Sequence, residues 1–115
     1  MNARLRPQLI AGIHWVRGEL EQSIARARTL IDHYAETGTD PLQLQQAYVE
    51  LHQVRGTAVM IQCYGLAIAA GEMAAALQDL SQNRIAEPQP LYSALLGATI
   101  QLSDYVQALA EGTTD

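Results

Sequence analysis

The sequence contains no phenylalanine and no lysine, and aromatic residues make up only 5% of it. Its seven basic residues are therefore all arginine, against 12 acidic residues, which gives a net charge of −5. No basic patch interleaved with aromatics is present, so the sequence does not favour nucleic-acid binding. A core of leucine, isoleucine and alanine suits closely packed helices better than stacked sheets. These absences favour an all-helical protein.

Cysteine and long apolar runs are also scarce. The single Cys63 excludes an internal disulfide and a cysteine-rich metal site, so we expect a buried thiol. The most apolar stretch, Val59–Ala76, is interrupted by polar residues and glycines, which is not typical of a membrane span. The first residues lack the apolar segment of a secretion signal. We therefore expect a single cytoplasmic domain over residues 1–115, without membrane insertion.

Four stretches carry apolar residues at steps of three and four, the spacing of one helix face. Gly38, Gly65 and the proline-containing segment 81–90 separate them. Asp40-Pro41 adds an N-cap followed by proline, with Gln43 in the capping-box position. The predicted fold is an all-α, antiparallel, up-down-up-down four-helix bundle, with room for a short extra turn at the N-terminus. Its predicted helices lie near 9–36, 41–64, 66–82 and 91–110, and the apolar stripe of the fourth is Leu91, Leu95, Ala98, Leu102, Tyr105 and Leu109. The alanine-rich third helix favours close core packing, with a dimer surface as the alternative, and the oligomeric state stays open.

The second stretch contains a candidate site for carrying phosphate. Because Leu51 belongs to the apolar stripe, His52 is turned about 100° away from the core around the helix axis. Arg55 and Gly56 follow three and four residues later and share the exposed face of His52.

The chemistry of a phosphate carrier suits these residue types. The imidazole must be exposed, with one ring nitrogen free to attack. Arg55 can offset the phosphoryl charge with several N–H donors. Gly56 costs about 1 kcal/mol in a helix interior relative to alanine, and it leaves room for a partner's active site to approach. By spacing alone, an ordinary surface histidine beside a helix-packing glycine fits as well. His14 and His33 have no cysteine or acidic cluster at ligand spacing, which argues against metal binding.

The segment resembles the signature of histidine-phosphotransfer (Hpt) domains, which is His-x-x-Lys-Gly followed by two small residues. The matching residues are His52, Arg55, Gly56, Thr57 and Ala58. Arg55 departs from the usual lysine, and Gln62 stands where many Hpt sequences have a glycine.

A wider likeness covers roughly residues 12–80. The segments His14–Leu20, Leu51–Gly65 and Ala70–Met73 are similar to the N-terminal Hpt-like region of chemotaxis-type hybrid histidine kinases. These kinases belong to type IV pilus, or twitching-motility, systems. The chain would then be one piece of a longer bacterial kinase.

The resemblance implies phosphate transfer on His52 between a histidine kinase core and receiver-domain aspartates. It also implies that Arg55 neutralises phosphoryl charge, that Gly56 admits the partner, and that Glu72 on the neighbouring helix orients the imidazole. The domain would have no ATP site or cofactor of its own, with Mg²⁺ held by the partner receiver or kinase. Alternatives stay open: a degenerate bundle that binds or scaffolds without transfer, a plain oligomerisation domain, and a merely solvated Glu72.

Overall fold

The structure, a computed structural model, describes residues 7–112, with the backbone only for residues 7–10. Within this range the chain forms four α-helices and no strand: α1 (Pro7–Thr37), α2 (Leu42–Met60), α3 (Tyr64–Ser81) and α4 (Gln89–Glu111). The predicted all-helical four-helix bundle is confirmed. Residues 1–6, where the extra turn is predicted, lie outside the described residues. None of the four helices, as far as the structure describes them, has the length and apolarity needed to cross a bilayer.

The turn between α1 and α2 follows the sequence signals. Gly38 has a left-handed φ of 61°, and its N–H donates to the carbonyl of Tyr34 at 2.7 Å, which closes α1 as predicted. The carboxylate of Asp40 accepts the N–H of Leu42 at 3.0 Å, which caps α2. Gln43 does not complete a capping box, because its side-chain amide lies 2.6 Å from Nδ1 of His33 instead.

The break between α2 and α3 does not lie at Gly65, where the sequence predicts it. Helix α2 ends at Met60, and Gln62 adopts a left-handed φ of 65°. The N–H of Cys63 donates to the carbonyl of Ala58 at 2.8 Å, and that of Gln62 donates to Val59 at 3.0 Å. These two bonds form a Schellman motif, which stabilises the left-handed conformation without a glycine. Gly65 is consequently part of the first turn of α3.

The fourth helix is rotated relative to the sequence prediction. Helix α1 packs against α2 and α4, and α2 packs against α3, whereas α3 and α4 scarcely touch. The buried face of α4 therefore turns toward α1, and an apolar groove remains between α3 and α4. Half of the predicted stripe is buried as expected, namely Leu95, Leu102 and Leu109. The buried face is completed by Tyr92, Thr99 and Val106, whereas the other half of the stripe, Leu91, Ala98 and Tyr105, lines the groove.

Arg28 holds α4 in this rotation. Its guanidinium donates to Oγ1 of Thr99 at 3.2 Å and to Oγ of Ser103 at 3.0 Å. The Thr99 hydroxyl donates in turn to the carbonyl of Leu96 at 2.6 Å. A buried threonine is therefore tolerated in the α1–α4 interface because its hydroxyl both donates and accepts a hydrogen bond.

Gly12 of α1 lies against Ile61 at the end of α2. A Cβ atom at Gly12 would stand 2.8 Å from Cγ2 and 2.9 Å from Cβ of Ile61. We expect Gly12→Ala to lower the free energy of unfolding by about 1–3 kcal/mol, since the Cβ of Ile61 cannot move away without the backbone. Gly18→Ala is the matched control on the same helix, because nothing lies within 4 Å of its added methyl. Denaturant unfolding should show the control unchanged or more stable by up to about 1 kcal/mol. Equal midpoints for the two variants would contradict this contact.

Candidate functional site

The buried stripe of α2 determines which residues face solvent. Leu51 and Val54 are buried in the core, as predicted. His52, Arg55 and Gly56 lie outside this buried stripe and are exposed. The predicted exposure of these three residues is confirmed, and they lie within about one helical turn.

The imidazole of His52 stacks on the ring of Tyr48, one turn earlier on α2. The ring centroids are 5.8 Å apart and the ring planes differ by 16°. Tyr48 is half-buried and packs against the core, while His52 is exposed. Among the described side chains, no hydrogen bond or ion pair to His52 is formed. Sequence reasoning missed Tyr48, although an aromatic residue four positions before a histidine on a helix is a recognisable signal.

Arg55 extends across Gly71 of the neighbouring helix α3. A Cβ atom at Gly71 would stand 3.1 Å from Cδ and 3.3 Å from Nε of Arg55. The absence of a side chain at Gly71 therefore makes room for the arginine where α2 and α3 pack together.

Arg55 also differs from the other arginines in residues 7–112. Those arginines have polar partners in the protein: Arg17 with Glu21, Arg26 with Glu50, Arg84 with Asp79, and Arg28 with two hydroxyls. Arg55 forms no such bond to any described side chain, and it is exposed. Its guanidinium donors are available to an anion from another molecule, which is the role the sequence predicts for it.

Glu72 reaches the same part of the surface from α3. It is exposed and lines one shallow groove together with His52, Arg55 and Gly71. No hydrogen bond or ion pair joins its carboxylate to His52 or Arg55 in the described part of the chain. The structure therefore brings Glu72 to the rim of the site, but the direct bond to the imidazole is not formed.

Gly56 leaves the other side of His52 open. A methyl group added at Gly56 would meet nothing within 4 Å. The residue lines a shallow depression between α1 and α2, together with Gln53 and Met60. Because no side chain projects from Gly56, another protein can approach the helix closely at this depression.

Large apolar side chains are exposed on the helix segments that meet near the α2–α3 turn. They are Trp15 of α1, Val59 and Met60 of α2, and Tyr64 and Ile68 of α3. Trp15 is 89% exposed and Met60 is 70% exposed. Contact between Gly12 and Ile61 brings the Trp15 segment of α1 next to the turn. Such a group of large apolar residues in water is typical of a surface that another protein covers.

The remaining candidate residues lie away from this site. His14 and His33 are exposed on α1, and no group of three or more His, Cys, Asp or Glu in the described residues could hold a metal ion. Cys63 is buried, as predicted. Burial raises the pKa of its thiol, while hydrogen bonds with the Leu66 backbone and the Tyr105 hydroxyl act in the opposite direction.

Comparisons of the chain with protein-family models, with curated proteins and with solved structures found no match. The fold and the site alone therefore define its class. It is a four-helix bundle that presents a histidine, an arginine and a glycine together on the exposed face of its second helix.

Proposed function

We propose that the chain is a histidine-phosphotransfer domain of a bacterial phosphorelay, in which His52 carries the phosphoryl group. One observation gives this proposal its main support. An exposed imidazole at the middle of α2 lies one turn from Arg55, which alone among the arginines of residues 7–112 forms no bond to the described side chains. A nucleophile and an uncommitted cation on one face are what phosphoryl transfer between two proteins requires.

The transfer step follows from this arrangement. The in-plane lone pair of one His52 ring nitrogen forms the N–P bond while the P–O bond to the donor aspartyl carboxylate breaks. The carboxylate leaves with the electron pair, and the second ring nitrogen keeps its proton until solvent removes it. Arg55 offsets the charge on the phosphoryl oxygens. The same steps in reverse pass the group to the next aspartate.

The apolar residues around the α2–α3 turn would support docking of the partner. A phosphocarrier must bring its imidazole into another protein's active site, so it needs a contact surface beside the histidine. Ile68 lines the same groove as His52, and Ile68 and Met60 both supply exposed apolar area on the helices of the site. The open surface at Gly56 admits the partner close to the helix.

The resemblance to Hpt domains adds support at the α2–α3 turn. Many Hpt sequences carry a glycine at the position of Gln62, and Gln62 has the left-handed φ that glycine adopts most readily. Gln62 therefore differs from glycine in its side chain but keeps the left-handed backbone conformation that glycine favours.

In this proposal the remaining machinery belongs to the partners. ATP is bound by a histidine kinase core, and Mg²⁺ is held by the receiver or the kinase. The proposed location of the domain is the cytoplasm. Its resemblance to the N-terminal region of twitching-motility kinases supports the proposal that it is one segment of such a kinase.

A second candidate function is a binding or scaffold module that keeps the bundle without transferring phosphate. The exposed apolar surface at Trp15 and Met60 favours it, because docking alone would explain that surface.

Transfer from charged receivers separates the two functions. Receivers from the same cell, charged with acetyl phosphate, are mixed with the protein, and intact-mass analysis follows the added phosphoryl group. Acid-labile phosphate on His52 supports the phosphocarrier. A receiver that binds the protein without any transfer, in a panel that also includes the kinase core, would establish the scaffold instead.

A glycine variant tests the position of Arg55. We expect Gly71→Ala to slow phosphoryl transfer, because the new methyl would stand 3.1 Å from Cδ of Arg55 and shift the arginine side chain by a few tenths of an ångström. The rate should fall by up to about tenfold, a fraction of what removing one electrostatic contact costs. Gly97→Ala on α4 is the matched control, since nothing lies within 4 Å of its methyl. Transfer rates that are the same in both variants would show that Gly71 does not position Arg55.

A further inference from the structure

We propose that Tyr48 is a positioning residue for the imidazole of His52, an inference that rests on the proposed phosphotransfer function. The stacked pair, with centroids 5.8 Å apart and planes within 16°, joins a ring packed on the core to a ring that projects into solvent. Tyr48 therefore offers a fixed flat surface to a side chain that has no hydrogen bond to any described residue.

The stack restricts the imidazole without blocking its chemistry. Stacking uses the face of the ring, whereas the lone pair that attacks phosphorus lies in the ring plane at its edge. Both ring nitrogens therefore stay accessible while rotation about the side-chain bonds is reduced. A ring already held near its reactive orientation loses less entropy in the transition state.

The tyrosine ring also favours the charge that the reaction creates. As a ring nitrogen of His52 forms its bond to phosphorus, positive charge develops on the imidazole. The face of an aromatic ring carries a negative quadrupole and attracts a cation. No carboxylate bonds to His52 among the described residues, so Tyr48 takes the orienting role that the resemblance to Hpt domains implies for Glu72.

Three variants separate stacking from packing. Tyr48→Phe keeps the aromatic face, whereas Tyr48→Leu keeps apolar packing without it, and Tyr48→Ala removes both. Each is labelled with phosphoramidate, a small donor that needs no protein partner: the ring nitrogen forms the N–P bond as the P–N bond breaks and ammonia leaves. Labelling at His14 and His33, both exposed on α1, is the internal control in every sample.

We expect Tyr48→Phe to label His52 at the wild-type rate, and Tyr48→Leu and Tyr48→Ala to label it about two- to tenfold more slowly, the range of one aromatic pair. Labelling at the two control histidines should not change. Three-bond NMR couplings should show the His52 side chain averaging among rotamers in the leucine variant and held in the phenylalanine variant. These couplings report the orientation of the His52 side chain directly, so they test the positioning role without any receiver.

The outcomes for Tyr48 and for the proposed function are distinct. Equal His52 labelling and equal couplings in wild type and Tyr48→Leu would overturn the positioning role, whatever the receivers do. Phosphoramidate labelling of His52 that depends on Tyr48, together with no phosphorylation by any receiver or kinase, would support the positioning role and contradict the phosphotransfer function.

Discussion

Replacing His52 with glutamine is expected to abolish acid-labile phosphorylation by every receiver or kinase core that labels the wild type. Glutamine keeps a polar side chain of similar length but has no ring nitrogen that can form the N–P bond. Because His52 is exposed and its ring stacks on Tyr48, the free energy of unfolding should fall by no more than about 1.5 kcal/mol, the upper end for one aromatic pair. Intact-mass analysis before and after acid treatment measures the label, and circular dichroism measures the helical content.

The two other histidines provide matched controls for this result. His14→Gln and His33→Gln change exposed histidines on α1, outside the candidate site, and should leave the label intact. Persistent acid-labile phosphate on His52→Gln would mean that the carrier is another residue. Loss of helical content in this variant would instead show that the imidazole has a structural role that its exposure does not suggest.

Replacing Arg55 with alanine should slow phosphoryl transfer by about 10- to 1000-fold, the usual effect of removing one electrostatic contact to a transition state. The reason is that Arg55 has no partner among the described side chains, so its guanidinium is free to bind the phosphoryl oxygens as charge redistributes. The affinity for the receiver should fall by a smaller factor. Rapid-quench transfer assays and equilibrium titration measure the two quantities separately.

Two control variants distinguish a phosphoryl contact from a change in overall charge. Arg84→Ala removes the same charge from an exposed arginine that pairs with Asp79, and it should leave transfer nearly unchanged. Arg55→Lys keeps the cation, as in the Hpt signature, and should recover much of the rate. If affinity and rate fall by the same factor in Arg55→Ala, the arginine contributes to docking and not to the transfer step.

Much of the fold follows from local sequence signals. Gly38 and the Asp40-Pro41 pair act within a few residues of chain, so the end of α1 and the start of α2 are predicted correctly. The stripe containing Leu51 and Val54 is equally local, because only one face of a helix can be buried at those positions. Once that face is buried, the exposure of His52 and Arg55 follows, and most of the candidate site is therefore predictable from the sequence.

Other features depend on contacts between distant parts of the chain. The rotation of α4 that buries Thr99 arises because α4 packs on α1, through Arg28, and hardly touches α3. The end of α2 is a local feature that the sequence prediction missed, because glutamine seldom adopts the left-handed conformation that two backbone hydrogen bonds within residues 58–63 give Gln62.

The sequence by itself determined the number of helices and the face that carries His52, Arg55 and Gly56, because helical periodicity is a property of neighbouring residues. Tertiary structure alone decided which side chains of α3 lie beside them, whereas Tyr48 is a neighbour of His52 within α2. Whether Glu72 or another group contacts the imidazole, and whether Arg55 finds room over Gly71, depends on how α3 lies against α2. Side-chain partners across a helix pair are set by the packing of the whole bundle, and no spacing along one helix encodes them.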